Sequence, residues 1–547
     1  MTLLPPGFGR AASTASDNRI EVGEWGPILD WGIKAMHLVV LPTDGVLIWE
    51  AIPANPPKIW NPATGTVTPV PIPAEWGDIH CSGQATLADG RVISLGGQIG
   101  SEQTHFGLPI NALFDPFTNT WTRGADMIYH RWYPTTTTLA DGRVLATSGD
   151  IRVGERAPHP EVYDPATNSW TELPLTRTPR EPLYPLMYVL PNGRTFEAGP
   201  TARTWLLNAA GTGFWTEGPR NSYSTSSYSE GAAMYAPGKI LKTGGDIDQT
   251  ASKRVSVIDM GGSRHWRSVA PMAFPRRRHN LTILADGSVM AVGGTTFSDD
   301  EKAAVFEGEI FNPETESWTT VAPLSEPRMY HSASALLPDG RLVIGGGEVQ
   351  RARNHVQIYS PPYLFKGPRP TITSAAEQAG YAASLSVATP DAARITSVAL
   401  IRPSAVTHGF DSNQRYVPLT FRQAEGGLSV DTPSNGNIAP PGYYMLVIKD
   451  ANGVPSPARW IRLDAGSFPA ALRPPPAGIA AREGDSARPP GAPPRQGRGE
   501  LPMGALLGVG AGIVALSGLS GLMLQRRRRE GRSSEAAELE DLRSYRS

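Results

Sequence analysis

The chain has 547 residues, with 50 Lys and Arg against 51 Asp and Glu, for a formal net charge of −1. That balance excludes the basic footprint of a nucleic-acid binder, and a single cysteine excludes a disulfide framework or a zinc cluster built on cysteines. The 58 glycines, 52 prolines and absence of a long amphipathic pattern point to a turn-rich, all-β chain of more than one unit.

The N-terminal segment, residues 1–22, contains "MTLLPPGFGRAASTASDN" and shows no apolar stretch of the signal-peptide kind. From 23 to 365 one phrase recurs, as in "LADGRVISLGG", "LADGRVLATSG", "LADGSVMAVGG" and "LPDGRLVIGGG". Its turn glycines are Gly45, Gly90, Gly142, Gly193, Gly238, Gly287 and Gly340, spaced 45 to 53 residues apart. Between them runs a second phrase, "FDPFTNTW", "VYDPATNSW" or "IFNPETESW". Each unit reads as two hairpins, the first turning on Asp-Gly or Asn-Gly and leaving through Gly-Gly, the second closed by an aromatic. One such four-stranded unit cannot bury both faces alone, so the units must pack around an axis. The period and the Gly-Gly signature resemble kelch repeats and imply a seven-bladed β-propeller over 23–365.

Residues 366–465 change rhythm to short alternating strands with Pro and Gly turns, predicting an immunoglobulin-like (early-set) sandwich. Residues 466–500 hold eight prolines among Arg and Gly and read as an extended linker. Within 501–525 the run Met503 to Leu524 has no charge for 22 residues, about 33 Å as a helix and enough for a transmembrane span. Arg526 to Arg529 open a tail, 526–547, expected on the cytoplasmic side, which puts the large N-terminal part outside as a membrane-anchored, monomeric unit.

Equivalent positions in repeated units share a height and a direction. Nine residues before the turn glycines stand Met36, Cys81, Tyr133, Tyr184, Ser229, Arg278 and His331. These fall near the start of an inner strand and are expected to ring one mouth of the channel. Cys81 and Tyr133 come from consecutive units, and Tyr330 arrives beside His331. Singly, each has an ordinary packing role; together, a thiol, two phenols and an imidazole meet at one level. Nitrogen and phenolic oxygen donors without a carboxylate suit divalent copper better than zinc, calcium or magnesium, and "VTHGFDSNQR" in the sandwich offers His408 as a further donor.

In order along the chain come a Cys nine before its turn glycine, "RWYP", "YHS" before "LLPDG", and "TH" before "QR". In this the chain resembles the copper radical oxidases, the galactose oxidase and glyoxal oxidase family, which join a seven-bladed kelch propeller to a sandwich. The resemblance implies one copper ion held by Tyr133, Tyr330, His331 and His408. It also implies a thioether between Cys81 and Tyr133 that carries a tyrosyl radical, with Tyr330 as the axial phenolate and base. Oxidation with O2 as acceptor moves two electrons while copper cycles through one, so the cross-linked phenol would supply the second redox centre. Galactose oxidase stacks a tryptophan on its cross-linked tyrosine from a region that reads "SGDIRVGERAPHP" here, with no aromatic. Trp132 is expected to point away from Tyr133 by strand alternation. The "RWYP" motif and the missing tryptophan resemble the glyoxal oxidase branch, implying small aldehydes as hydrates, or primary alcohols, with O2 as co-substrate and H2O2 as product. Tyr184 and Arg278 are the expected polar contacts for substrate. The alternatives are a galactose-oxidase-like alcohol oxidase and a non-catalytic kelch protein that binds a glycan or protein.

Overall fold

The Asp-Gly phrases fold into tight hairpins. Gly90 N–H donates to the Leu87 carbonyl at 3.0 Å and Leu87 N–H to that of Arg91 at 2.8 Å. Gly90 lies at φ 90°, which favours glycine. In the first repeat the left-handed residue is instead Asp44, at φ 64°. The computed structural model describes residues 18–51, 55–100, 104–174, 182–347 and 353–464.

Each repeat forms an antiparallel sheet whose strands follow chain order. The second runs Gly83–Thr86, Val92–Leu95, Asn111–Asp115, Thr120–Arg123, and the third Thr135–Thr138, Val144–Thr147, Glu161–Asp164, Ser169–Glu172. The first strand of each is wholly buried and the last largely exposed. Apolar clusters draw on consecutive repeats: Ala85, Leu87 and Leu95 pack with Val144, Ala146 and Tyr163, and Leu145 and Val162 with Met187, Val189 and Leu207. The first strands also stand side by side. His37–Val40 neighbours Ser332–Leu336, which neighbours Asn280–Ile283, then Glu230–Ala236; Met187–Val189 neighbours Thr135–Thr138, then Gly83–Thr86. The last repeat sheet takes its outer strands from the start of the chain, pairing Glu24 with Ser360 and Leu29 with Val356. A small extra sheet, Gln98–Ile99, Phe106–Gly107, Asp150–Arg152 and Glu155–Arg156, joins the second and third repeats and had no signal in the periodicity.

Beyond the repeats, two sheets face each other across Leu385, Val387, Val398, Leu400, Leu428, Val430, Leu446 and Ile461. This sandwich lies against the turn ends of the repeats: Tyr443 backs Gly90, Asn437 backs Gly193 and Tyr416 backs Gly287. From it a hairpin, Ala405–Thr407 and Phe410–Asp411, runs between the first strands and adds to His37–Val40, with His37 opposite Thr407 and Val39 opposite Ala405. Asp411 braces the hairpin base by accepting from the amides of Ala405, Asn413 and Gln414 at 3.2, 3.0 and 2.8 Å.

Among the described residues no helix is long and apolar enough to cross a membrane. The expected linker, transmembrane span and tail lie outside the described residues, as do residues 1–17.

Arg402 ties sandwich to repeats. It is 1% exposed and donates to the Thr86 carbonyl at 2.8 Å and that of Pro440 at 2.9 Å. Arg402→Met should keep the shape but remove this bridge, leaving the Thr86 carbonyl to Thr138 Oγ1 and that of Pro440 to Tyr444 Oη, and lower stability by about 1–3 kcal/mol in a urea melt.

Candidate metal centre

Five of the seven counted positions adopt a left-handed backbone: Cys81 (φ 60°), Tyr133 (60°), Tyr184 (47°), Arg278 (53°) and His331 (62°). A non-glycine residue there costs roughly 1–3 kcal/mol and persists only where the surroundings enforce it. Hydrogen bonds between repeats do so. Tyr133 N–H donates to the Cys81 carbonyl and Tyr184 N–H to the Tyr133 carbonyl, each at 3.0 Å. The positions therefore sit side by side at one height.

Two counted positions differ. In the fifth repeat the left-handed residue is Tyr228 (φ 44°), one before Ser229. A bulge between Met234 and Ala236 adds a residue to that strand and shifts the count. Met36 is not left-handed, and the strand after it is paired by the sandwich hairpin.

Tyr133 Oη shares a hydrogen bond with Tyr330 Oη at 2.5 Å and lies 3.0 Å from His408 Nε2. Thr407 Oγ1 holds His408 Nδ1 at 2.6 Å, so Nε2 is the nitrogen turned to the phenols. The His331 ring stacks on Tyr330 at 3.7 Å and meets His408 edge-on at 4.7 Å. Cys81 packs in one buried cluster with Trp132, Tyr133 and Tyr184, its Sγ 4.0 Å from His408 Nε2. The hairpin and the repeats thus bring together all five residues singled out for the chemistry.

Trp132 corrects the expectation from strand alternation. Its ring stacks on Tyr133 at 3.8 Å with an interplanar angle of 11°. Alternation holds only for extended residues, and the left-handed turn at Tyr133 swings both rings to one side. The back of Trp132 is covered by His105, stacked at 3.8 Å, whose Nε2 lies 3.5 Å from Asp150 Oδ2. Tyr184 also departs from its expected role. It stacks on Tyr133 at 4.5 Å, is 2% exposed, and donates its hydroxyl to the Ser82 carbonyl at 3.0 Å. It belongs to the ring stack rather than to the mouth. Arg278 does face Tyr330, 4.1 Å from its ring centroid, and Tyr228 at 5.2 Å, with Asp299 at 3.2 Å.

Burial sets the charge states. It pushes the Tyr133 phenol well above its ordinary pKa, helped by Cys81 and Tyr330. Burial, then neighbouring His80, depresses His331; burial, then neighbouring His331, depresses His408. His331 and His408 are thus held as neutral imidazoles and the Tyr133 phenol keeps its proton, and a bound dication would favour the phenolate. Among the described residues, His80, Cys81 and His331 bring one ligand atom each within 4.8 Å of one another, with no carboxylate in that group, a nitrogen and sulfur set compatible with copper.

Residues 369–463 match the family model described as "Galactose oxidase-like, Early set domain". Galactose oxidase of Gibberella zeae is 30% identical over 489 residues, covering 81% of this chain and 71% of that protein. The chain belongs to the galactose oxidase family of copper radical oxidases. Aldehyde oxidase GLOX of Vitis pseudoreticulata is 26% identical, covering 71% of this chain and 82% of that one. A solved fungal alcohol oxidase of the AA5 family, in complex with copper, superposes with a TM-score of 0.73 at 26% identity, covering 81% of this chain and all of that one. The chain is a copper-dependent oxidase of this family.

Gly409, at φ 79°, follows His408, and a Cβ on it would lie 2.5 Å from the His279 carbonyl oxygen. Gly409→Ala should displace the hairpin tip and weaken divalent copper binding by roughly tenfold or more in equilibrium dialysis. Unchanged affinity would show that the tip does not position His408.

Proposed function

We propose that the chain oxidises small aldehydes, as their hydrates, or primary alcohols with O2, releasing H2O2, at a mononuclear copper site in a seven-bladed kelch propeller closed by the early-set sandwich. The observation that carries this reading is the convergence of Tyr133, Tyr330 and His408, with Tyr133 Oη 2.5 Å from one and 3.0 Å from the other. A non-catalytic kelch binder has no use for that buried convergence.

Tyr133, Tyr330, His331 and His408 would hold the ion, and Cys81 would be joined to Tyr133 through a thioether. Bound copper supplies one of the two one-electron acceptors that the reaction needs. The sulfur-substituted Tyr133 ring, on which Trp132 and Tyr184 stack, would supply the other. Tyr330 Oη takes the substrate hydroxyl proton, standing at hydrogen-bond reach of the same centre. The overall change balances as RCH(OH)2 + O2 giving RCOOH + H2O2, or RCH2OH + O2 giving RCHO + H2O2.

The substrate proposal rests on the mouth. Arg278 lies against Tyr228 and Tyr330 with Asp299 on its guanidinium, a narrow rim able to hold the oxygens of a small hydrate. The galactose-oxidase-like reading, a sugar-alcohol substrate, gains from Trp132, which supplies a stacking tryptophan after all. Oxygen uptake over a panel of aldehydes and alcohols decides: small aldehydes should give the highest kcat/KM, and galactose giving the highest would overturn the aldehyde reading.

Cys81→Ser replaces a small buried side chain and should leave the copper donors in place. It should lower kcat on the order of 10³-fold, about 4 kcal/mol of barrier, because an unsubstituted phenol is harder to oxidise. Peroxide release at the rate of the unaltered enzyme would remove Cys81 from the chemistry.

A further inference from the structure

Beside the ring stack the rim carries paired charges. Arg277 and Arg278 follow one another, and each has a carboxylate of its own. Asp246 Oδ2 lies 3.0 Å from Arg277 Nε, and Asp299 Oδ1 lies 3.2 Å from Arg278 Nε. The Arg277 pair is sealed, its side chains 6% and 2% exposed, and serves the fold. The Arg278 pair is placed differently. Its guanidinium lies over the Tyr330 ring, while Asp299 is 31% exposed and reaches it from a loop. Asp299 meets Arg278 at Nε, so the terminal nitrogens of the fork remain as donors for a ligand.

The loop is held in that position. Thr295 and Arg277 exchange backbone hydrogen bonds at 3.0 Å, and Ser298 N–H donates to the Gln249 carbonyl at 3.0 Å. The next two acids are engaged elsewhere. Asp300 accepts from the Lys302 amide at 3.0 Å, and Glu301 accepts from the buried Arg353 at 2.8 Å. Arg353 also donates to Glu326 at 3.4 Å, which ties the loop to the segment leading into Tyr330. Of three consecutive acids, Asp299 is the one set against Arg278.

A largely buried guanidinium attracts a carboxylate strongly and fits it with two parallel hydrogen bonds. An anionic substrate would be drawn to Arg278 unless that charge were already met. We propose that Asp299 is a specificity-determining residue: it offsets the Arg278 cation, so that the mouth favours neutral hydrates and alcohols over aldehydes that carry a carboxylate. This rests on the oxidase reading above and narrows its substrate class. The terminal nitrogens of Arg278 still donate to the hydroxyls of a neutral substrate. A carboxylate arriving there would face Asp299 across the same guanidinium, two like charges in a poorly solvated place. Asp299 acts through Arg278 rather than on the reacting atoms.

The test compares butanal with 4-oxobutanoate, aldehydes of equal length that differ in charge, on the copper-loaded full chain. In Asp299→Asn, which keeps the shape and removes the charge, the ratio of kcat/KM for 4-oxobutanoate over butanal should rise by roughly tenfold or more. The rise should come from a lower KM for the anion and should shrink in about 0.5 M salt, which screens charge. Asp299→Glu, which restores the charge, should return the ratio to near the parent value. A second readout needs no turnover: the copper-free chain titrated with butyrate in a calorimeter should bind it roughly tenfold more tightly in Asp299→Asn than in the parent. An unchanged ratio with unchanged butyrate affinity would overturn the proposal, as would a rise that Asp299→Glu shares, which would come from loop shape. If all three proteins oxidise butanal but the ratio does not move, the oxidase reading stands and the charge selection fails. If butyrate affinity rises as stated but none of the three oxidises either aldehyde, the charge selection stands and the oxidase reading fails.

Discussion

One strand pairing carries the centre. The hairpin that bears His408 comes from the sandwich, yet it lies edge-on against His37–Val40 of the first repeat, with Leu38 opposite Val406. Because register in a sheet moves in whole residues, this pairing fixes the height at which His408 emerges. It is reinforced along the hairpin. Ser412 donates to the Thr136 carbonyl at 2.8 Å, and Gln414 exchanges hydrogen bonds with Ile283 at 2.8 and 3.0 Å. The repeats alone carry Cys81, Tyr133, Tyr330 and His331; they cannot supply His408. Both parts therefore contribute residues to the cluster.

A second constraint is electrostatic. The buried centre holds imidazoles kept neutral by burial and a Tyr133 phenol kept protonated by it. His37, at about 3 for the same reason, is a fixed neutral acceptor for the Cys81 amide. The left-handed backbones of this site are held by hydrogen bonds between repeats. The strain is paid in fold stability and returned as geometry.

Much of this was legible in the sequence because the repeat hairpins have nearly constant length. Counting back from the turn glycine located Cys81, Tyr133 and His331 by position, and "TH" before "QR" marked His408. The count failed where hairpin length changes: the bulge at Met234 to Ala236 moved the fifth repeat's residue to Tyr228. It also says nothing of backbone handedness. Strand alternation sent Trp132 away from Tyr133, whereas φ 60° at Tyr133 brings the rings together. Tyr184 shares the register but not the exposure, since its hydroxyl is taken by the Ser82 carbonyl. His105 and Asp150 were invisible because the small extra sheet that contains Asp150, and that His105 immediately precedes, pairs segments from two repeats. No local pattern reports such a pairing.

The most direct test of the centre is peptide mapping of the full-length chain after exposure to copper and O2. A proteolytic digest analysed by mass spectrometry should contain the Cys81 peptide joined to the Tyr133 peptide, two hydrogen atoms lighter than the sum of the separate peptides. Recovery of both peptides unlinked, with Cys81 alkylated by a thiol reagent added after denaturation, would contradict the joining of Cys81 to Tyr133 and with it the redox role of the stack.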